Sequence, residues 1–209
     1  MSVAKQAKSR IAENNSEKIL DAALSVFARF GLRGARLDQI AQQAEMSKPN
    51  LLYYFRSKDE LYKAVLKRTL NVWLDALQGF DAQADPATAI RGFIQAKLAY
   101  SRERPEASRL FAIEIIQGGA MLKDAIAGDL AGLVESKAGT IRGWIEQGKL
   151  APVDPYHLIF NIWATTQHYA DFGSQIEALT GQTLADKPFH ETALATMQHI
   201  FLNGILPRE

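Results

Sequence analysis

The 209-residue chain contains no cysteine. Disulfide frameworks, zinc ribbons, iron–sulfur clusters and thiol catalysis are thereby excluded, and a reducing compartment fits. Glycine and proline are sparse at 14 and 7 residues, too few for a collagenous or low-complexity chain. No uncharged apolar run approaches the roughly 18 residues that a membrane span needs. The N-terminal MSVAKQAKSRIAENN has lysines but no apolar stretch that would read as a secretory leader. Sustained alternation of β-branched residues, the mark of strands, is also missing. What is present is 47 % hydrophobic and 22 % charged residues, ample for a packed core. The expectation is a soluble, globular, cytoplasmic protein of the all-α class.

The net charge of +1 conceals an asymmetry. Residues 1–68 hold 13 Lys/Arg and 7 Asp/Glu, a net +6, whereas residues 69–209 hold 11 and 16, a net −5. A basic module gains by releasing phosphate counterions, so this split points the first part at a polyanion.

Helical periodicity recurs from Ser16 onward. Ser16 is placed to cap a helix whose stripe is Ile19, Ala23, Val26, Phe27 and Phe30, with Gly31 as its stop. Leu37, Ile40, Ala41 and Ala44 predict a short second helix. Ser47 then caps a third with Pro49 in its first turn, and Leu52 and Phe55 are expected to point inward. Ser57 with Glu60 forms a capping box that opens a long helix through Leu77. Further helices are expected over about 86–103, 107–117, 122–147, 155–172 and 188–204.

The stretch from Arg36 to Leu61 is the most informative. Two short helices joined by Glu45-Met46-Ser47 and braced by a preceding helix have the helix-turn-helix arrangement. The expected exposed face of the third helix bears Lys48, Asn50, Tyr53 and Tyr54 beside its cap Ser47: a phosphate-seeking cation, an amide able to pair with adenine, and phenolic hydroxyls. Lys58 lies in the first turn of the next helix, where a cation opposes the dipole, so an external phosphate is its expected partner. Arg33 and Arg36 are placed for similar backbone contacts.

The same residues resemble the DNA-binding domain of the TetR family: Ile40-Ala41, Ser47, Leu52-Tyr53, Phe55, Lys58 and Leu61 stand at the family's positions. Glu45 replaces the usual turn glycine, which implies either a mildly strained positive φ or a slightly different turn. Arg36 replaces a capping threonine. NLLYYFRSKDELYKAVL, ASRLF and GKLAPVDPYHLIFNIWATTQHYADF extend the resemblance to a uracil-responsive member that controls pyrimidine utilisation. The resemblance implies a flexible basic arm (1–15), a helix-turn-helix domain (16–60) and a ligand-binding and dimerisation domain (61–209). It also implies a homodimer built through the last two helices, a pseudo-palindromic double-stranded DNA operator, uracil or thymine as effector, and no cofactor.

The residues of the second part agree in kind. Trp163, Gln167 and Asp171 share one helix face at i, i+4 and i+8. A flat uncharged heterocycle needs aromatic walls and a few directional polar groups, and a glutamine amide complements an N–H/C=O edge. Trp163 and Trp73 are candidate walls, Leu77 lies one turn beyond Trp73, and Ser108 and Phe111 are candidate neighbours. Core packing is the alternative for the tryptophans, and a cross-dimer bond for Gln167. His168 and Asp171, at i and i+3, have a chelating spacing without further ligands, and no metal site is expected. Two other readings remain open: a regulator answering a different small molecule, and a helical enzyme using His168 and Asp171 as base and acid.

Overall fold

The structure, a computed structural model, describes residues 3–77 and 79–207, with side chains from Arg10 onward. Every regular element among them is helical: α1 (Val3–Gly34), α2 (Leu37–Gln43), α3 (Lys48–Tyr54), α4 (Lys58–Ala76), α5 (Pro86–Glu103), α6 (Pro105–Ile116), α7 (Lys123–Ala125) with a π-helical turn (Ile126–Leu130), α8 (Ala131–Glu146), α9 (Pro155–Asp171), α10 (Gly173–Thr180) and α11 (Lys187–Ile205). The chain forms two compact units, residues 1–69 with 109–122, and residues 70–108 with 123–209. Helices α4 and α6 each contribute to both.

The first unit is built on α1–α3 and most of α4. Its buried residues include Ile19, Leu20, Ala23, Val26 and Phe27 of α1, Ile40 and Ala41 of α2, Leu51 of α3, and Leu61, Tyr62, Val65 and Leu66 of α4. Each fully buried large apolar side chain contributes about 1.5–3 kcal/mol, and Phe27 meets Tyr62 edge to face at 5.0 Å. Helix α1 begins at Val3 rather than at Ser16. The Ala, Lys and Glu of the first fifteen residues are good helix formers, so the proposed cap lies inside the helix and residues 3–15 are continuous with it. Met1 and Ser2, and the side chains of Lys5 and Lys8 in the proposed basic arm, lie outside the described parts. Gly31 breaks α1 as expected, with φ 66° and ψ 173°, a conformation open essentially only to glycine.

Two inward-pointing assignments change. Leu51 rather than Leu52 is fully buried, and Phe30 is 43 % exposed. Of the two alternatives for the turn between α2 and α3, the strained backbone is the one present: Glu45, at φ 56°, is the only described non-glycine residue with positive φ. The capping box of α4 forms with a shift of one residue. Ser57 Oγ accepts the Glu60 amide N–H, and Glu60 Oε2 accepts the N–H of Arg56 in place of that of Ser57.

The second unit centres on α5, which packs against α9 and α11, while α8 packs against α9. Phe93, Ile94 and Leu98 of α5, Ile141 and Trp144 of α8, Ile159 and Ile162 of α9, and Met197 and Leu202 of α11 share one apolar core. Asp85 and Asp154 cap α5 and α9 through the amides of Thr88 and His157, each followed by a proline whose missing N–H costs nothing there. Helix α10 was not expected from the periodicity. It follows Phe172 directly and ends at Gly181 in the left-handed conformation.

Candidate nucleic-acid interface and effector pocket

On α3 the recognition-face candidates divide by exposure. Tyr53 is 82 % exposed, and Lys48 and Asn50 are also exposed. Ser47 Oγ accepts the Asn50 amide N–H at 3.3 Å and fixes the start of the helix. Lys48 Nζ lies 3.3 Å from Asp38 Oδ2, an exposed pair weak enough to yield to a phosphate. Tyr54 differs: it is half-buried, and its hydroxyl accepts a hydrogen bond from Asn15 Nδ2 at 2.9 Å. It joins α3 to α1. Arg33 and Arg36 are exposed. Arg36 occupies the N-cap of α2, where its backbone N–H donates to Gln39 Oε1.

Lys58 has partners within the chain. Its Nζ donates to the backbone carbonyls of Arg33 (3.4 Å) and Ala35 (3.0 Å). The cation opposing the dipole of α4 is thus offset by carbonyls at the C-terminal end of α1.

In the second unit, the decisive residue is one that sequence reasoning missed. Lys97 of α5 is 2 % exposed, with Nζ 3.9 Å from the centre of the Trp73 ring, and it donates to Gln167 Oε1 at 3.2 Å. Burial drives its pKa from 10.5 down to about 7, and the charge of Asp171 opposes part of that fall. The signal is in the sequence: Ile90, Phe93, Ile94 and Leu98 form one apolar stripe, and Lys97 stands within it. A small cavity of about 220 Å³ opens beside it, lined in part by Val72, Trp73, Lys97 and Tyr100, with the Trp73 and Tyr100 rings edge to face at 6.3 Å.

Trp73, Gln167 and Asp171 are therefore brought together around Lys97. Ser108 is fully buried, and its Oγ donates to Asp171 Oδ1 at 2.7 Å. Two candidates take part in the apolar core of the second unit. Leu77 belongs to the apolar core at 1 % exposure. Trp163 packs against that core and against Phe160, with ring centres 5.7 Å apart. Phe111 is buried in the first unit. His168 stacks on Phe172 at 4.9 Å, while Asp171 is engaged by Ser108, so the pair is not arranged as an acid and base acting on one substrate. Among the described residues no group of three or more metal-ligating side chains occurs, and no helix is long and apolar enough to cross a membrane.

Residues 19–65 match the profile of bacterial regulatory proteins of the tetR family, and residues 66–208 match that of the YcdC-like protein C-terminal region. The chain belongs to the TetR family. It is 49 % identical over 201 residues to the HTH-type transcriptional regulator RutR of Escherichia coli K12, a match that covers 96 % of this chain and 95 % of that protein. Among solved structures, the transcriptional regulator SCO4942 of Streptomyces coelicolor superposes with a TM-score of 0.67 at 29 % identity, covering 92 % of this chain and 98 % of that one. The ketosteroid regulator KstR2 of Mycobacterium tuberculosis shares the fold, with a TM-score of 0.72 over 92 % of this chain and 95 % of that one, at 18 % identity. This TetR-family protein is accordingly a DNA-binding transcriptional regulator and not an enzyme. Regulators of the family bind DNA operators and small-molecule effectors and are typically dimeric.

Proposed function

We propose that the protein is a homodimeric regulator of pyrimidine utilisation whose hold on its operator is relieved by uracil or thymine. The observation that carries the effector assignment is the Lys97–Gln167–Trp73 cluster beside a cavity of about 220 Å³. That volume lies below the roughly 300–1,000 Å³ of pockets for drug-sized ligands, so the site suits one small ring. Trp73 offers a ring face, Gln167 an amide donor and acceptor for an N–H/C=O edge, and Lys97 an ammonium for a carbonyl oxygen. Asp171, held by Ser108, keeps a negative charge near the lysine. The sequence resemblance to a uracil-responsive regulator supports the same ligand.

On the DNA side, Tyr53 and Asn50 read base edges or thymine methyl groups, while Lys48, Arg33 and Arg36 hold phosphates. Ser47 positions α3, and Tyr54 and Lys58 brace it from within. Two such helices related by a twofold axis would enter successive major grooves of a pseudo-palindrome. The exposed Phe160 of α9 and Ile200 of α11 are apolar side chains suited to the dimer contact.

Calorimetric titration with uracil, thymine and cytosine tests the reading. Saturable uracil binding is expected, and Gln167→Ala should weaken it by about tenfold or more. Failure of all three pyrimidines to bind would overturn the effector assignment and leave a TetR regulator of another ligand.

A further inference from the structure

A second hollow, of about 790 Å³, opens within the first unit and shares no residue with the Lys97 cavity. Phe27, Phe30, Tyr62, Leu110, Ile113 and Met121 supply most of its apolar wall. Into this wall is set Glu114 of α6, only 6 % exposed. Its Oε2 accepts a hydrogen bond from the Tyr62 hydroxyl at 3.3 Å, and its Oε1 accepts one from the Met121 amide at 2.9 Å. Both partners are neutral donors. Burial, followed by the charge of Glu114, pushes the Tyr62 phenol up to about 12, so it remains a protonated donor and cannot cancel the carboxylate.

No ion pair among the described residues engages Glu114. A buried carboxylate is costly unless a cation or a full set of donors compensates it, and with two donors Glu114 still has lone pairs unused. Phe30 and Ile113 add to the site. They are 43 % and 47 % exposed, so apolar surface faces water at a hollow whose interior charge is negative. The Phe30 ring already carries the Arg29 guanidinium, 5.1 Å from its centre, which leaves the Glu114 carboxylate as the group that pairs with a ligand cation.

We infer that this hollow is a small-molecule site for an organic monoammonium ion with an apolar body, its ammonium paired with the Glu114 carboxylate and its body against Phe27, Phe30 and Tyr62. Two arginines restrict the class. Arg29 and Arg33 are exposed residues of the lining; water screens them too well to hold an anion strongly, but they disfavour a ligand with several positive charges. The site lies in the DNA-binding unit, apart from the uracil pocket proposed above, and does not depend on that assignment.

The test is calorimetric titration of the full chain with 2-phenylethylamine, against neutral 2-phenylethanol and anionic 3-phenylpropionate. One saturable amine site per chain is expected, with both analogues at least about tenfold weaker. Glu114→Gln, which keeps a group able to accept the Tyr62 hydroxyl, should weaken amine binding by a similar factor. Ile113→Trp, made at a half-exposed wall position, should also weaken it by filling the hollow, and decides the matter if Glu114→Gln fails to melt as a folded protein. Absence of saturable amine binding, equal binding of the propionate, or undiminished binding by the folded variants would overturn the inference.

Discussion

Lys97 shows how one side chain can change the meaning of a helix. Its ammonium is removed from water between Trp73 and Gln167, and burial brings its pKa from 10.5 down to about 7. Between these values the unfolded chain holds a proton that the folded chain has released. Native stability attributable to Lys97 therefore rises with pH from about 7 to 10.5 and is lowest where both states are charged. Lys97→Met, which removes the buried charge at similar volume, should raise the melting temperature at pH 6 and lose most of that gain by pH 10. Thermal melts at the two pH values check this, and an identical pH slope in both proteins would contradict it. Gln167 and Trp73 were legible in the sequence because amide and indole chemistry suggests a heterocycle. Lys97 was not, since a lysine is ordinarily assigned to solvent and only its place in the α5 stripe argued otherwise. Leu77 and Trp163 went the other way: large apolar residues on buried helices serve a core as readily as a ligand, and here they pack in or against the core.

The helix-turn-helix was legible almost element by element, because local chemistry dictates it. Ser47 and Ser57 cap their helices by accepting the amide N–H three residues on, and Gly31 ends the regular part of α1. The places where expectation failed have the same origin. Ser16 is a good cap by type, yet the residues before it favour helix, and α1 runs through it. Phe30 continues the stripe of α1 but is not covered, and it instead lines the hollow that contains Glu114. Side-chain type alone does not reveal that Asn15 engages Tyr54, or that the carbonyls of Arg33 and Ala35 engage Lys58. Tertiary partners distant in sequence leave no local trace. The Glu45 turn, where the sequence leaves open a strained backbone or a different turn, yields a prediction. A non-glycine residue at φ 56° carries a cost of about 1 kcal/mol. Glu45→Gly should recover much of it, raising the melting temperature by about 2–4 °C for a chain of this size. A fall on substitution would show that the Glu45 side chain earns its place by a contact that outweighs the strain.

At the scale of the whole chain there are a basic helix-turn-helix unit and an acidic unit with a small, largely apolar cavity beside Lys97, and α4 and α6 each contribute residues to both units. The same division appears in the charge of the sequence. Helix α6 carries Ser108, bonded to Asp171, and six residues later Glu114, bonded to Tyr62. A ligand shifts such a system only by its differential affinity for the two states, and the coupling is reciprocal. The most direct test is the affinity of the full chain for its operator, taken as the duplex enriched from a random double-stranded library, measured with and without saturating uracil. The account predicts an inverted repeat with half-site centres about 34–36 Å apart, bound tightly without uracil and at least about fivefold more weakly with it. An enriched duplex whose affinity is unchanged by uracil would contradict it.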